Sequence, residues 1–146
     1  MKYRYNSIIK NIRLNILNLT FKAKSSHIGS CLSIVEILVA IYSGILKKSD
    51  RFILSKGHAA LALYATLYEK KFISLKTLRS FGSNGTILMN HVSNKVNGIE
   101  FSTGSLGHGL PVSVGKALKF KINKEKNKVF VLMSDGEINE GTTWES

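Results

Sequence analysis

The chain has 146 residues, room for one domain and not two. Hydrophobic residues at 44% and charged residues at 21% are the proportions of a globular chain, which excludes wholesale disorder. A single proline and a single cysteine exclude a proline-rich linker protein and a disulfide scaffold, and 21 Lys+Arg against 9 Asp+Glu leave a formal net charge of +12.

Apolar residues at positions 5, 8, 9, 12, 16 and 19, with lysine and asparagine between them, predict a helix over 5–22. The run Ser25-Ser26-His27-Ile28-Gly29-Ser30 interrupts it. Ser33 with Glu36 three residues later makes a capping box, which predicts a helix over Ile34–Leu46. That stretch carries Glu36 and is shorter than the roughly 20 apolar residues a bilayer requires. The N-terminus lacks the uninterrupted apolar run of a signal peptide. With Cys31 alone, as suits a reducing compartment, the expected location is the cytoplasm, with no membrane partner.

Arg51-Phe52-Ile53-Leu54-Ser55 reads as a short buried strand. Residues 59–71, rich in Ala and Leu, read as a helix, and Ser74 opens another short one. Residues 82–107, with Gly82, Gly85, Gly98, Gly104 and Gly107, read as loop. A helix is expected over Leu110–Ile122, with Pro111 in its first turn, where a missing N–H costs nothing. Val129-Phe130-Val131-Leu132-Met133 is a continuous apolar strand, of the kind buried on both faces in a parallel sheet, and Ser134-Asp135-Gly136-Glu137 is its turn. The fold class is α/β, a partial parallel sheet flanked by helices. Only two strands are clear, whereas a doubly wound sheet has about five or six. The expectation is a single incomplete domain over 1–146, the front part of a larger module.

The positive charge raises a polyanion-binding reading. Of the basic residues 17 are Lys and only 4 are Arg (Arg4, Arg13, Arg51, Arg79), and Arg is what supplies the planar fork for base edges and phosphates. The lysines are scattered, apart from six within the thirteen positions from Lys116 to Lys128. The expectation is a solvated basic surface. The alternative, a nucleic-acid-binding face, would reveal itself as steeply salt-dependent binding.

Four segments carry chemistry. Asp135-Gly136 lies beyond the carboxyl end of the second strand, the edge where open α/β sheets bind ligands. A carboxylate there suits a hard cation such as Mg²⁺, and a neighbouring glycine lets backbone approach a phosphate. Alone, Asp-Gly also reads as a plain turn. Phe101-Ser102-Thr103-Gly104-Ser105-Leu106-Gly107-His108-Gly109 is a glycine-rich turn into a helix, where backbone N–H groups favour an anion. The other two segments hold His27 and His58. All four histidines, His27, His58, His91 and His108, fall in loops or turns beside small residues, which suggests a shared polar cleft. A zinc site is disfavoured, since no short His pairing is present and Cys31 has no cysteine partner.

Together and in order, these segments resemble the N-terminal, diphosphate-binding region of transketolases, in particular the split, two-chain forms. The resemblance runs from about His27 to Glu145. It implies a thiamine diphosphate-binding fold, front part only, and a transferase that uses thiamine diphosphate and Mg²⁺ to move two-carbon ketol units between sugar phosphates. By the same resemblance Asp135 would bind the metal. Gly136, with Glu137 beside it, would meet the diphosphate, and Gly104, Ser105 and Leu106 would run along the cofactor. His27, His58 and His91 would line the substrate channel as catalytic residues, polarising oxygens and moving protons, with His58 also touching the cofactor. Glu140 matches a glutamate buried near a subunit interface. Two positions depart from the pattern: Ser105 stands where the family more often has Pro, and Ser134 where it has Gly. The family's remaining metal ligands fall past Ser146, and its pyrimidine-binding domain lies outside this chain. The resemblance therefore implies a partner chain, the C-terminal transketolase subunit, and a symmetric oligomer. The isolated chain is expected to be inactive. A reading of another class is a non-catalytic remnant that keeps the fold without the activity.

Overall fold

The computed structural model describes residues 2–146, with side chains from Tyr5 onward. The long first helix, α1 (Lys2–Ala23), is followed by two short ones, α2 (Ile28–Leu32) and α3 (Val35–Ala40). A π-helical turn, Ile41–Ile45, extends α3. Then come β1 (Arg51–Leu54), a 3₁₀ turn (Gly57–Ala59), α4 (Ala60–Glu69) and α5 (Leu75–Arg79). A long loop leads to α6 (Gly109–Ile122), β2 (Val129–Leu132), a second 3₁₀ turn (Gly136–Asn139) and α7 (Gly141–Glu145).

The core is built around α4, whose residues Ala60 to Leu67 are all buried. It packs against α1 and α3, which contribute Ile12, Ile16, Val35 and Leu38. The 82–107 loop is anchored to this core by Leu88, Val92, Val96 and Ile99. Strands β1 and β2 pair in parallel, Arg51 opposite Val129 through Leu54 opposite Leu132. Strand alternation sends Phe52 and Leu54 into the helical core. On the other face, the Arg51 guanidinium lies 6.0 Å from the Phe120 ring centre of α6. The Asp50 carboxylate ties the strand entrances together, accepting from the backbone N–H groups of Lys128 at 2.9 Å and Lys47 at 3.0 Å.

Two expectations change. There is no capping box at Ser33. Its hydroxyl instead donates to Ser30 O at 2.9 Å, Ile34 occupies the cap position, and Glu36 accepts from Arg13 at 2.7 Å. The 28–32 segment forms its own short helix, so Ser33 lies within a helical turn rather than ahead of one. Strand β2 is not buried on both faces: Val129, Phe130 and Val131 are half-buried and only Leu132 is fully enclosed. Its apolar run marks a strand able to sit inside a sheet, but only β1 pairs with it among the described residues, while Phe130 and Leu132 pack on the helical core and α6 lies against the strand.

The window Ile28–Ile45 is, by length and a mean hydropathy of 1.9, long and apolar enough to cross a membrane. Here it is folded as three short helical pieces, with Cys31, Ile34, Val35, Leu38 and Val39 in the core.

Candidate active site

The carboxyl ends of β1 and β2, the glycine-rich loop and the loop before α2 converge at one edge of the molecule. His27 stands immediately before α2, exposed and in a left-handed backbone conformation (φ 70°). Its ring centre lies 5.5 Å from that of His58, in the 3₁₀ turn after β1, and 5.8 Å from that of His91. His91 is held from behind, where the Tyr64 hydroxyl of α4 donates to its carbonyl at 2.9 Å. Three residues far apart in sequence thus form one imidazole cluster. His108 lies outside these contacts; it is exposed, with Nδ1 2.9 Å from Leu106 O.

The glycine-rich loop spans from this cluster to the aspartate turn. At one end, a side chain at Gly104 would meet the His91 ring at 3.4 Å. At the other, Leu106 Cδ1 lies 3.9 Å from where a Cβ on Gly136 would stand. The loop is fixed to the sheet by Thr103, whose hydroxyl donates to Leu54 O at 2.6 Å and whose N–H donates to Val92 O at 3.1 Å. Gly57 allows this closeness, because a Cβ there would stand 2.6 Å from Thr103 C and O and 2.7 Å from Gly104 N. Gly104 and Leu106 are half-buried, whereas Ser105, Asp135 and Gly136 are exposed.

Ser134 stands where the family pattern has glycine, and its φ is not positive, so serine takes the turn without strain. Glu137 is fully enclosed, at 0% exposure. It accepts hydrogen bonds from Ser55 Oγ at 2.5 Å, Gly107 N at 3.0 Å and Ser134 N at 2.9 Å. It therefore binds the site's own loops together and has no surface to offer a ligand. Glu140 is exposed in the single chain. Sequence reasoning quotes Ser55 and Thr103 within its segments but gives them no role, and it misses Tyr64, which carries no motif of its own.

Among the described residues no group of three His, Cys, Asp or Glu side chains is arranged to hold a metal ion. Asp135 offers one carboxylate, so a cation there must draw its other ligands from elsewhere. His58 titrates below the ordinary histidine range. Partial burial is the main cause, with the positive charges of Lys56, His27 and His91 adding to it and the Glu137 carboxylate opposing. The edge therefore combines an exposed carboxylate, loop backbone at close approach, and a histidine held in its neutral, proton-accepting form near pH 7.

Comparison with known proteins places this arrangement. The family profile described as "Transketolase, thiamine diphosphate binding domain" matches residues 4–146. The chain is 43% identical over 143 residues to an apulose-4-phosphate transketolase subunit from Phocaeicola vulgatus, covering 92% of this chain and 51% of that one. It is 37% identical over 130 residues to a 6-deoxy-6-sulfo-D-fructose transketolase subunit from a Clostridium species, covering 82% and 47%. The crystal structure of transketolase from Campylobacter jejuni superposes with a TM-score of 0.90 at 28% identity, over 97% of this chain and 25% of that one. The chain spans about half the length of the curated relatives that are named as subunits. With the four segments assembled at one edge and the matched profile reaching from residue 4 to residue 146, the chain belongs to the transketolase family, as part of its thiamine diphosphate-binding domain.

Proposed function

We propose that the chain forms the diphosphate-binding part of a split transketolase. In this reading it holds thiamine diphosphate and Mg²⁺ and, together with a partner chain carrying the pyrimidine-binding domain, transfers two-carbon ketol units between sugar phosphates. One observation carries the reading: the Gly104–Leu106 loop bridges the imidazole cluster and the Asp135-Gly136 turn, with His91 against one end and Gly136 against the other. The fit rests on this same cradle. Without a Cβ at Gly104 or Gly136 the loop backbone is free to approach a diphosphate, and exposed Asp135 presents an oxygen ligand to the cation.

Bound there, thiamine diphosphate would supply the carbon nucleophile and electron sink for ketol transfer. The work of the chain's own residues follows from their chemistry. Asp135 anchors the cation. The backbone of Gly104, Ser105, Leu106 and Gly136 orients the phosphates. Neutral His58 accepts a proton from a substrate hydroxyl, while His27 and His91 donate hydrogen bonds to substrate oxygens and hold them against it. The relatives named for a sugar phosphate and a sulfo-sugar act on anionic sugars, and the net charge of +12 here suits the same class.

A partner is supported by the names of the relatives, which are subunits, and by β2, whose second edge is unpaired among the described residues. A second reading, a module that keeps the fold without the activity, rests on there being no group of three His, Cys, Asp or Glu side chains arranged to hold a metal among the described residues. Calorimetric titration with thiamine diphosphate and Mg²⁺ separates them, using the chain alone and then with a pyrimidine-domain partner. Mg²⁺-dependent heat that disappears in Asp135→Asn supports the first reading. A cooperatively folded sample that gives no heat in either setting supports the second.

A further inference from the structure

Glu137 is the most unusual polar residue of the chain. It is fully buried, yet it sits in none of the ion pairs among the described residues. A buried carboxylate is costly unless every acceptor position is filled. Here they are filled, by groups from three separate segments. Oε1 accepts from Ser55 Oγ at the end of β1 and from Gly107 N in the glycine-rich loop. Oε2 accepts from Ser134 N at the end of β2 and, at 3.5 Å, from Ser134 Oγ. Beyond these, Thr143 Oγ1 of α7 donates to the Glu137 carbonyl at 2.7 Å, and Thr142 Oγ1 donates to Gly107 O at 2.9 Å. Every partner of the carboxylate is a donor. Glutamine in its place would present an NH₂ to a backbone N–H whichever way it turned: Gly107 on one side, Ser134 on the other.

We propose that Glu137 is a positioning residue. Its carboxylate locks the ends of both strands and the glycine-rich loop into one rigid cradle, so that the loop backbone and Asp135 keep their relative placement before any ligand arrives. What the cradle holds rests on the function proposed above; the locking itself does not. Filling space would require only an apolar side chain of similar volume, without the desolvation of a carboxylate, so the choice of an acceptor reflects the donors it must gather.

The experiment is amide hydrogen exchange by NMR on the 146-residue chain and its Glu137→Gln variant. Exchange at Gly107 and Ser134 is expected to speed up by about tenfold or more, as for loss of a charge-assisted hydrogen bond, while Ile12 and Leu63 in the core keep their rates. Unchanged exchange at Gly107 and Ser134, or an equal rise at Ile12 and Leu63, overturns the proposal. Should that variant fail to fold, Ser55→Ala decides. Gly107 shares Oε1 with Ser55, so its amide proton resonance is expected to move although the two are far apart in sequence; an unmoved resonance refutes the junction. Titration of the folded variant with thiamine diphosphate and Mg²⁺ is expected to show affinity about 10–100-fold weaker, the usual cost of losing a supporting shell. Wild-type affinity in the variant defeats the positioning role. Absence of binding by the unmodified chain defeats the proposed ligand and leaves the exchange result to judge the junction.

Discussion

His58 is partly buried and stands among the positive charges of Lys56, His27 and His91, so protonating it costs more in the folded chain than in the unfolded one. The stability that comes with its neutral form is complete above about pH 6.5 and drains as the pH falls from there toward its depressed folded value. An NMR titration of its ring should show a midpoint below that of an ordinary histidine, and His27→Ala should raise it; a midpoint unmoved by His27→Ala would remove His27 as a cause. Gly57 makes a steric prediction. Its Cβ would overlap the Thr103–Gly104 backbone at 2.6–2.7 Å, and backbone has no flexible end to yield. Gly57→Ala is expected to cost about 1–3 kcal/mol, as overpacking does, and to displace the glycine-rich loop. A melting temperature equal to wild type would refute that placement. His27, His58, Asp135 and Gly104 are legible in the sequence because each sits in one of the four ordered segments, and His91 because it too is a loop histidine beside small residues. The placement of Glu137 is not. Acidic residues default to the surface, and only folding brings Ser55 and Gly107 to the same carboxylate.

At the scale of elements, the two serine caps tell opposite stories. Ser74 reads as a helix start, and Thr77 N donates to its hydroxyl at 3.1 Å. Ser33 reads the same way, but its hydroxyl turns back to Ser30 O. Local sequence offers the same residue type twice; what differs is whether a preceding helix has already claimed the hydroxyl. Ser74→Ala should therefore cost about 1 kcal/mol, whereas Ser33→Ala removes no helix cap. Paired thermal melts check this, and equal losses would contradict the assignment. Helices α1 and α4 and both strands are readable from their apolar patterns, since those residues face a core that the chain itself supplies, and α6 from Pro111 in its first turn. The burial of β2 is not, because periodicity records which face is apolar and not whether another layer covers it.

For the whole molecule, the apolar surface left open includes a stripe along α6. Along α6, Val114, Leu118 and Ile122 are exposed by 40%, 54% and 70% at helical spacing, and the second edge of β2 is unpaired among the described residues. An exposed apolar stripe and an open strand edge each promote association. Leu118→Lys is expected to lower self-association in light scattering while leaving the melting temperature within error, since Leu118 lies outside the core. Unchanged scattering would move the sticky surface elsewhere.

The sole tryptophan, Trp144, is exposed, and its indole N–H donates to Ile138 O just beyond the Asp135-Gly136 turn. The molecule thereby carries its own fluorophore at the rim of the cradle. Any chain that settles over this rim dehydrates the indole and turns its emission bluer, so assembly can be followed optically without a label.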